Sequence, residues 1–168
     1  MVVKAVCFDL GDTLMKEESV IRDAEGWAVR ADMIEGALSL LRNLKEAGYK
    51  LAIICNASGR SARNVLRSSR LESFFQAILI SGEMGVEKPD GRIFQAALEK
   101  LEVKPEEAVM VGNRISSDIV GANRVGMKSI LFKWNNRYPD KVEANEERPD
   151  FTIERLEELP DILHRLDR

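Results

Sequence analysis

The residues that could carry chemistry fall in four places. Asp9 follows the apolar run Val2, Val3, Ala5, Val6, Cys7 and Phe8, and Cys55 and Asn56 end a second run. Lys88 sits in the segment Glu87, Lys88, Pro89, Asp90, and the stretch from Asn113 to Asp118 follows another apolar run. Two or three acids, one lysine and small hydrogen-bonding groups around a crevice suit phosphoryl chemistry. The acids hold a divalent cation, and the lysine neutralises charge that develops on the transferring group. Each place also has a plainer reading. D-L-G-D-T can be a turn whose Asp and Gly serve backbone geometry. Lys88 can be a surface lysine ahead of a proline, and Asp118 can support the helix that follows it. A carboxylate at the end of a buried strand is still costly unless it is hydrogen-bonded, paired or holding a metal.

These places can meet only if the elements before them lie side by side. The run over 2–8 is rich in β-branched residues and interrupted only by Lys4, which reads as a strand buried on both faces. Residues 15–30 carry mixed charge without a clean period and read as a loop or short excursion over the end of that strand. Ile34, Leu38, Leu41 and Leu44 predict a helix over 32–47, stopped by Gly48. A second strand follows over 51–55, and Ser58 or Ser61 caps a helix running to about residue 70. Residues 71–75 form a short helical turn, and 77–80 a third strand. After a loop over 81–90 come a helix over 91–101 and a strand over 108–111, broken by Gly112. Ser116 or Ser117 caps a helix that ends near 124, and a strand follows over 129–132. The polar segment 133–150, with Pro139 and Pro149, reads as a loop before a last strand (151–153) and helix (156–166). Strands alternating with helices predict an α/β fold, a doubly wound, Rossmann-like, mostly parallel sheet with helices on both faces. In such a sheet the four places converge at the carboxyl edge, where ligands bind.

Composition narrows the partners. The 168 residues, 45% hydrophobic and 32% charged, suit one compact domain over 1–168 with a real core. A net charge of −3, a pI near 5.4 and no dense basic patch argue against nucleic acid. No apolar run reaches membrane-spanning length and no signal peptide is visible, so no membrane and a cytoplasmic location are expected. Cys7 and Cys55 lie in apolar runs and read as reduced core thiols; with His164 as the single histidine, a zinc site is not expected.

Taken together, the four segments resemble the signature motifs of the haloacid dehalogenase superfamily, over nearly the whole chain. F-D-L-G-D-T-L resembles its first motif, Ile53 to Asn56 its second, E-K-P-D before a helix its third, and V-G-N-R-I-S-S-D-I-V-G-A its fourth. The resemblance implies a magnesium-dependent phosphohydrolase in which Asp9 is the nucleophile and forms an aspartyl-phosphate. Lys88 would bridge that carboxylate and the phosphoryl oxygens, and Asp118 would anchor the metal shell or orient Lys88. Cys55 and Asn56 stand at the phosphate-binding positions. Asp9, the carbonyl of Gly11, Asn113 and Asp118 stand at the metal positions.

Three positions depart from the family pattern. The family's phosphatases place a second aspartate, the general acid and base, where this chain has Gly11; Asp12, one residue later, is the candidate replacement. A Ser or Thr is replaced by Cys55, a weaker hydrogen-bond donor, and an acid by Asn113, which can ligate through its carbonyl oxygen without charge. From Gly11 alone, aryl and acyl phosphates are expected to turn over faster than alkyl phosphates. The intervals 15–30 and 57–87 are too short for a large cap, so an open site is expected. It would take a phosphorylated small molecule or phosphoprotein, or be covered in a homo-oligomer. A binding or scaffold protein with an eroded site is the alternative function, and a 2-haloacid dehalogenase ranks below it.

Overall fold

All four residues of the first strand, β1 (Ala5–Phe8), are buried completely. The structure is a computed structural model that describes residues 2–167. After β1 come β2 (Ile21–Arg22), β3 (Ala28–Arg30), α1 (Ala37–Glu46), β4 (Lys50–Cys55), α2 (Gly59–Ser68) and β5 (Ala77–Ile80). The chain continues through α3 (Ser81–Met84), α4 (Gly91–Leu101), β6 (Ala108–Gly112), α5 (Val120–Val125), β7 (Lys128–Phe132), β8 (Phe151–Ile153) and α6 (Leu159–Leu166).

Six of these strands form one sheet in the order β5-β4-β1-β6-β7-β8, every pair parallel. That is the doubly wound α/β sheet expected from the alternation of elements. Side-chain alternation divides the core between its faces. Val6, Phe8, Ile53 and Val111 pack with the leucines of α1, α2 and α6, whereas Ala5, Cys7, Ala52, Ile54 and Met110 pack with α4 and Ala122 of α5. Burying side chains such as Phe8 and Ile53 contributes about 1.5–3 kcal/mol each. With β1 paired on both sides, its carboxyl end is fixed between those of β4 and β6.

Several local expectations need correction. Of the two readings of segment 15–30, it is the short excursion and not the plain loop that is found. It holds a 3-10 turn at Glu17–Ser19 and the antiparallel hairpin β2–β3, whose turn is closed by Asp23 accepting from the amides of Glu25 and Trp27. Strands of two and three residues are too short to show a period. The hairpin is tied to α2, with the Ala28 amide donating to Ser61 Oγ at 3.1 Å and Asn64 Nδ2 to the Ala28 carbonyl at 3.0 Å. The helix expected from residue 32 starts at Ala37, because Gly36 at φ +81° breaks the helical path before it. Residues 81–84 form a helical turn where a loop was expected. Before α5 the chain makes one widened π-type turn over Ile115–Ile119. Ser58, of the two candidates, caps α2, accepting the Ser61 amide at 3.2 Å.

Candidate active site

The carboxyl ends of β1, β4 and β6 bring Asp9, Asn56 and Asn113 to one edge, and Lys88 enters from the loop before α4. Lys88 Nζ donates to Asp9 Oδ1 at 2.9 Å and to Asp118 Oδ1 at 2.6 Å. Lys88 and Asp118 are buried, while the Asp9 side chain keeps 16% of its surface exposed toward the cleft. Burial alone would lower the lysine pKa. The flanking carboxylates of Asp118 and Asp9 outweigh it and hold Lys88 above the ordinary lysine value, so the ammonium is charged. Two carboxylates on one ammonium offset the desolvation that a buried charge costs.

Lys88 and Asp118 are each held by something else. The Asn56 side chain bonds both main-chain groups of Lys88, Oδ1 accepting its amide at 2.8 Å and Nδ2 donating to its carbonyl at 3.0 Å. Asn56 therefore positions the lysine, and its side chain is committed there rather than to a phosphate. Asp118 Oδ2 accepts the Arg114 amide at 3.0 Å across the widened turn, so both carboxylate oxygens are engaged. Of the roles open to Asp118, orienting Lys88 is the one its contacts match. It lies directly over Gly112, where an added Cβ would stand 2.3 Å from Asp118 Cγ, so that position has no room for a side chain. Cys55 is buried at the cleft edge, and burial pushes its thiol up to about 12, leaving it uncharged.

Asp9, Gly11 and Asn113 line a cleft of about 650 Å³, with Asp118 behind them. Among the described residues no cluster of three or more His, Cys, Asp or Glu side chains is grouped for a metal. The donors on offer are instead hard oxygens of mixed type, which fits magnesium: it binds one or two carboxylates and keeps several of its waters. Asn113 is braced by Thr13, whose hydroxyl lies 3.4 Å from Asn113 Oδ1.

The structure does not bring Asp12 into the cleft. Asp12 is completely buried with φ +52°, accepts the Glu17 amide on Oδ1 at 3.1 Å and meets Arg137 Nε at 2.6 Å on Oδ2. The step from Asp9 to Asp12 turns that side chain away from the cleft. The acidic side chain that does line the cleft beside Asp9 is Glu17. A Cβ on Gly11 would stand 2.5 Å from Glu17 Oε1. Tyr138 Oη lies 3.4 Å from Glu17 Oε2, Arg137 Nε lies 3.8 Å from it, and Arg114 stacks on the Tyr138 ring at 3.9 Å. Burial and the neighbouring charge of Asp12 raise the Glu17 pKa, against the pull of Arg137. Sequence reading missed Glu17, Arg137 and Tyr138 because none follows a strand; the available signal was the space left by Gly11.

The hairpin region and α2 add the apolar side chains of Val20, Trp27, Ala28, Ala31 and Val65 to the lining of the cleft, together with Arg22 and Ser61. Among the described residues no helix is long and apolar enough to cross a membrane.

Comparison with known proteins converges on one family. Residues 18–132 match the model of the haloacid dehalogenase-like hydrolases. The chain is 39% identical over 132 residues to a glyceraldehyde 3-phosphate phosphatase of Pyrococcus furiosus, covering 79% of this chain and 55% of that protein. It is 33% identical over 134 residues to the pyrophosphatase PpaX of Bacillus cereus, covering 80% of this chain and 61% of the relative. The chain thus matches little more than half the length of these curated relatives. In fold it is similar to the crystal structure of an HAD phosphatase from Thermococcus onnurineus, with a TM-score of 0.81 at 24% identity over 96% of this chain and 98% of that one. With most of its length matched by the family model, and Asp9, Lys88 and Asp118 joined at the sheet edge, the chain belongs to the haloacid dehalogenase-like hydrolase family.

Proposed function

We propose that this chain is a magnesium-dependent phosphohydrolase working through an aspartyl-phosphate on Asp9. The observation that carries the reading is the contact of one charged lysine with both Asp9 and Asp118 at the floor of the cleft. Asp9 is the partly exposed member of the triad, which leaves its carboxylate open to attack phosphorus. Lys88, held in place by Asn56 and Asp118, stabilises the negative charge that grows on the phosphoryl oxygens. Asp9, the Gly11 carbonyl and Asn113 would hold magnesium, with Asp118 behind them. When bound, the ion neutralises phosphate charge and aligns the phosphoryl group with the nucleophile. Cys55, buried and uncharged, borders the phosphate position without supplying a charge of its own.

Small phosphorylated molecules are favoured over phosphoproteins, in keeping with the substrates after which the matched relatives are named. The test is a screen of phosphate esters with magnesium, comparing wild type with Asp9→Asn. Loss of the nucleophile is expected to reduce turnover by about 10⁴-fold or more. Equal turnover in the two proteins overturns the reading.

A further inference from the structure

Both halves of such a reaction move a proton. When Asp9 attacks phosphorus and the bond to the leaving oxygen breaks, the electron pair goes to that oxygen, which needs a proton if it is an alkoxide. When water then attacks the aspartyl-phosphate, it must give a proton up. The groups around Asp9 narrow who can do this. Lys88 is locked between two carboxylates, and Asp118 is buried with both oxygens engaged. Asp12 is buried against Arg137 and away from the cleft, and Cys55 is a buried thiol. Of the acidic side chains, Asp9 and Glu17 line the cleft.

We propose that Glu17 is the general acid and base of this site, placed through space where no side chain from the Asp9 loop itself reaches. Gly11 makes this possible, because its missing Cβ is the space that Glu17 Oε1 fills. The carboxylate is also held rather than free. Its own amide is tied to Asp12 Oδ1, while Arg137 and Tyr138 stand by Oε2. In the first half-reaction the Glu17 carboxyl gives its proton to the leaving oxygen. In the second, its carboxylate takes a proton from the attacking water as the bond between phosphorus and Asp9 breaks and the electron pair returns to Asp9. The net products are alcohol and inorganic phosphate, with Glu17 restored. The preference for good leaving groups expected from Gly11 then belongs to a protein without Glu17, not to the wild type.

This inference rests on the phosphohydrolase reading, and Glu17→Gln tests it with an alkyl phosphate and p-nitrophenyl phosphate side by side. Alkyl phosphate turnover is expected to fall by about 10²–10⁴-fold, the usual worth of general acid–base help. With the aryl ester, p-nitrophenolate leaves without a proton, so a burst of one equivalent per active site is expected, followed by slow steady turnover. The double variant Gly11→Asp, Glu17→Ala empties that space and puts a carboxylate back into it, and partial recovery of alkyl phosphate turnover relative to Glu17→Ala alone is expected. An equal loss on both substrates without a burst, or no loss on either, overturns the role of Glu17 while leaving Asp9 in place. A wild type no faster than Asp9→Asn overturns the phosphohydrolase reading, and this inference with it.

Discussion

Lys88 reaches Asp9 and Asp118 from a main chain clamped by Asn56, whereas Glu17 faces the same cleft from a 3-10 turn braced by Asp12, Arg137 and Tyr138. The first arrangement hangs on parallel strands whose ends are buried; the second is assembled from loops, one before the hairpin and one within 133–150. The difference concerns dielectric as well as rigidity. At the floor, charges meet out of water, where each contact is strong and each missing partner is costly. At the rim, Glu17 and Arg137 remain 42% and 37% exposed, so their attraction is screened and adjustable.

The sharpest way to break this contrast is Lys88→Met, which keeps the bulk of the side chain and removes its charge. Asp118 would then be a buried carboxylate without its cation, and a loss of about 3–5 kcal/mol is expected by urea denaturation, together with loss of activity. The pH dependence carries a definite sign. Lys88 is held above the ordinary lysine value, so the stability it contributes is fully present below about pH 10.4 and is lost only as pH rises through the raised value. In Lys88→Met the pKa of the buried Asp118, raised by burial even beside the lysine, is raised further. The variant is then stabilised by a proton that it gives up as pH rises, so the gap from wild type is expected to hold or widen, not close, from about pH 7.5 to 9.5. A gap that closes within that range contradicts the buried triad.

The same contrast explains what the sequence made legible. Asp9, Asn56 and Asn113 could be located because buried strands announce themselves by apolar runs, and a polar residue ending such a run must lie at the sheet edge, whereas Lys88 was placed by the loop that follows the third strand on the same side. The parallel sheet followed from the alternation of elements. Asn56 was found for position but not for role, since its bonds to the Lys88 main chain depend on how a loop far along the chain approaches it. The rim was not legible. Asp12 was a reasonable substitute for a missing acid by spacing alone, but its positive φ and its buried pairing with Arg137 depend on a segment more than a hundred residues away. Glu17 lies in a stretch of mixed charge with no period, and nothing local marks which of its acids faces inward.

A second, smaller test acts on the floor without replacing a charged group. Gly112 is the last residue of β6, and an added Cβ would stand 2.3 Å from Asp118 Cγ. Asp118 cannot yield easily, because Lys88 and the Arg114 amide hold its two oxygens. Gly112→Ala is expected to cost about 1–3 kcal/mol, the range for overpacking a well-filled interior. Because the displaced group orients Lys88, activity should fall along with stability. A variant with lower stability but unchanged kcat would mean that Asp118 can shift without moving the lysine.

Asp12→Asn probes the joint between floor and rim, and its effect is expected to be the smallest of the three. Asparagine tolerates the left-handed conformation at φ +52° as readily as aspartate, so no backbone strain is added. If Oδ1 continues to accept the Glu17 amide, the amide nitrogen of the new side chain faces Arg137 Nε, donor against donor, and that contact is lost. Arg137 is already partly hydrated and has Glu17 Oε2 within 3.8 Å, so it can turn toward a second carboxylate. The lost ion pair, offset by that hydration, gives an expected cost of about 1 kcal/mol. Hydrogen exchange should quicken in the segment around Arg137 and Tyr138 and stay unchanged in β1 and β6, because the sheet pairs do not depend on Asp12. Alkyl phosphate turnover should fall less than tenfold, because Glu17 keeps its main-chain tether. A loss as large as that of Glu17→Gln, with exchange in 133–150 unchanged, would make Asp12 the proton carrier and Glu17 its support.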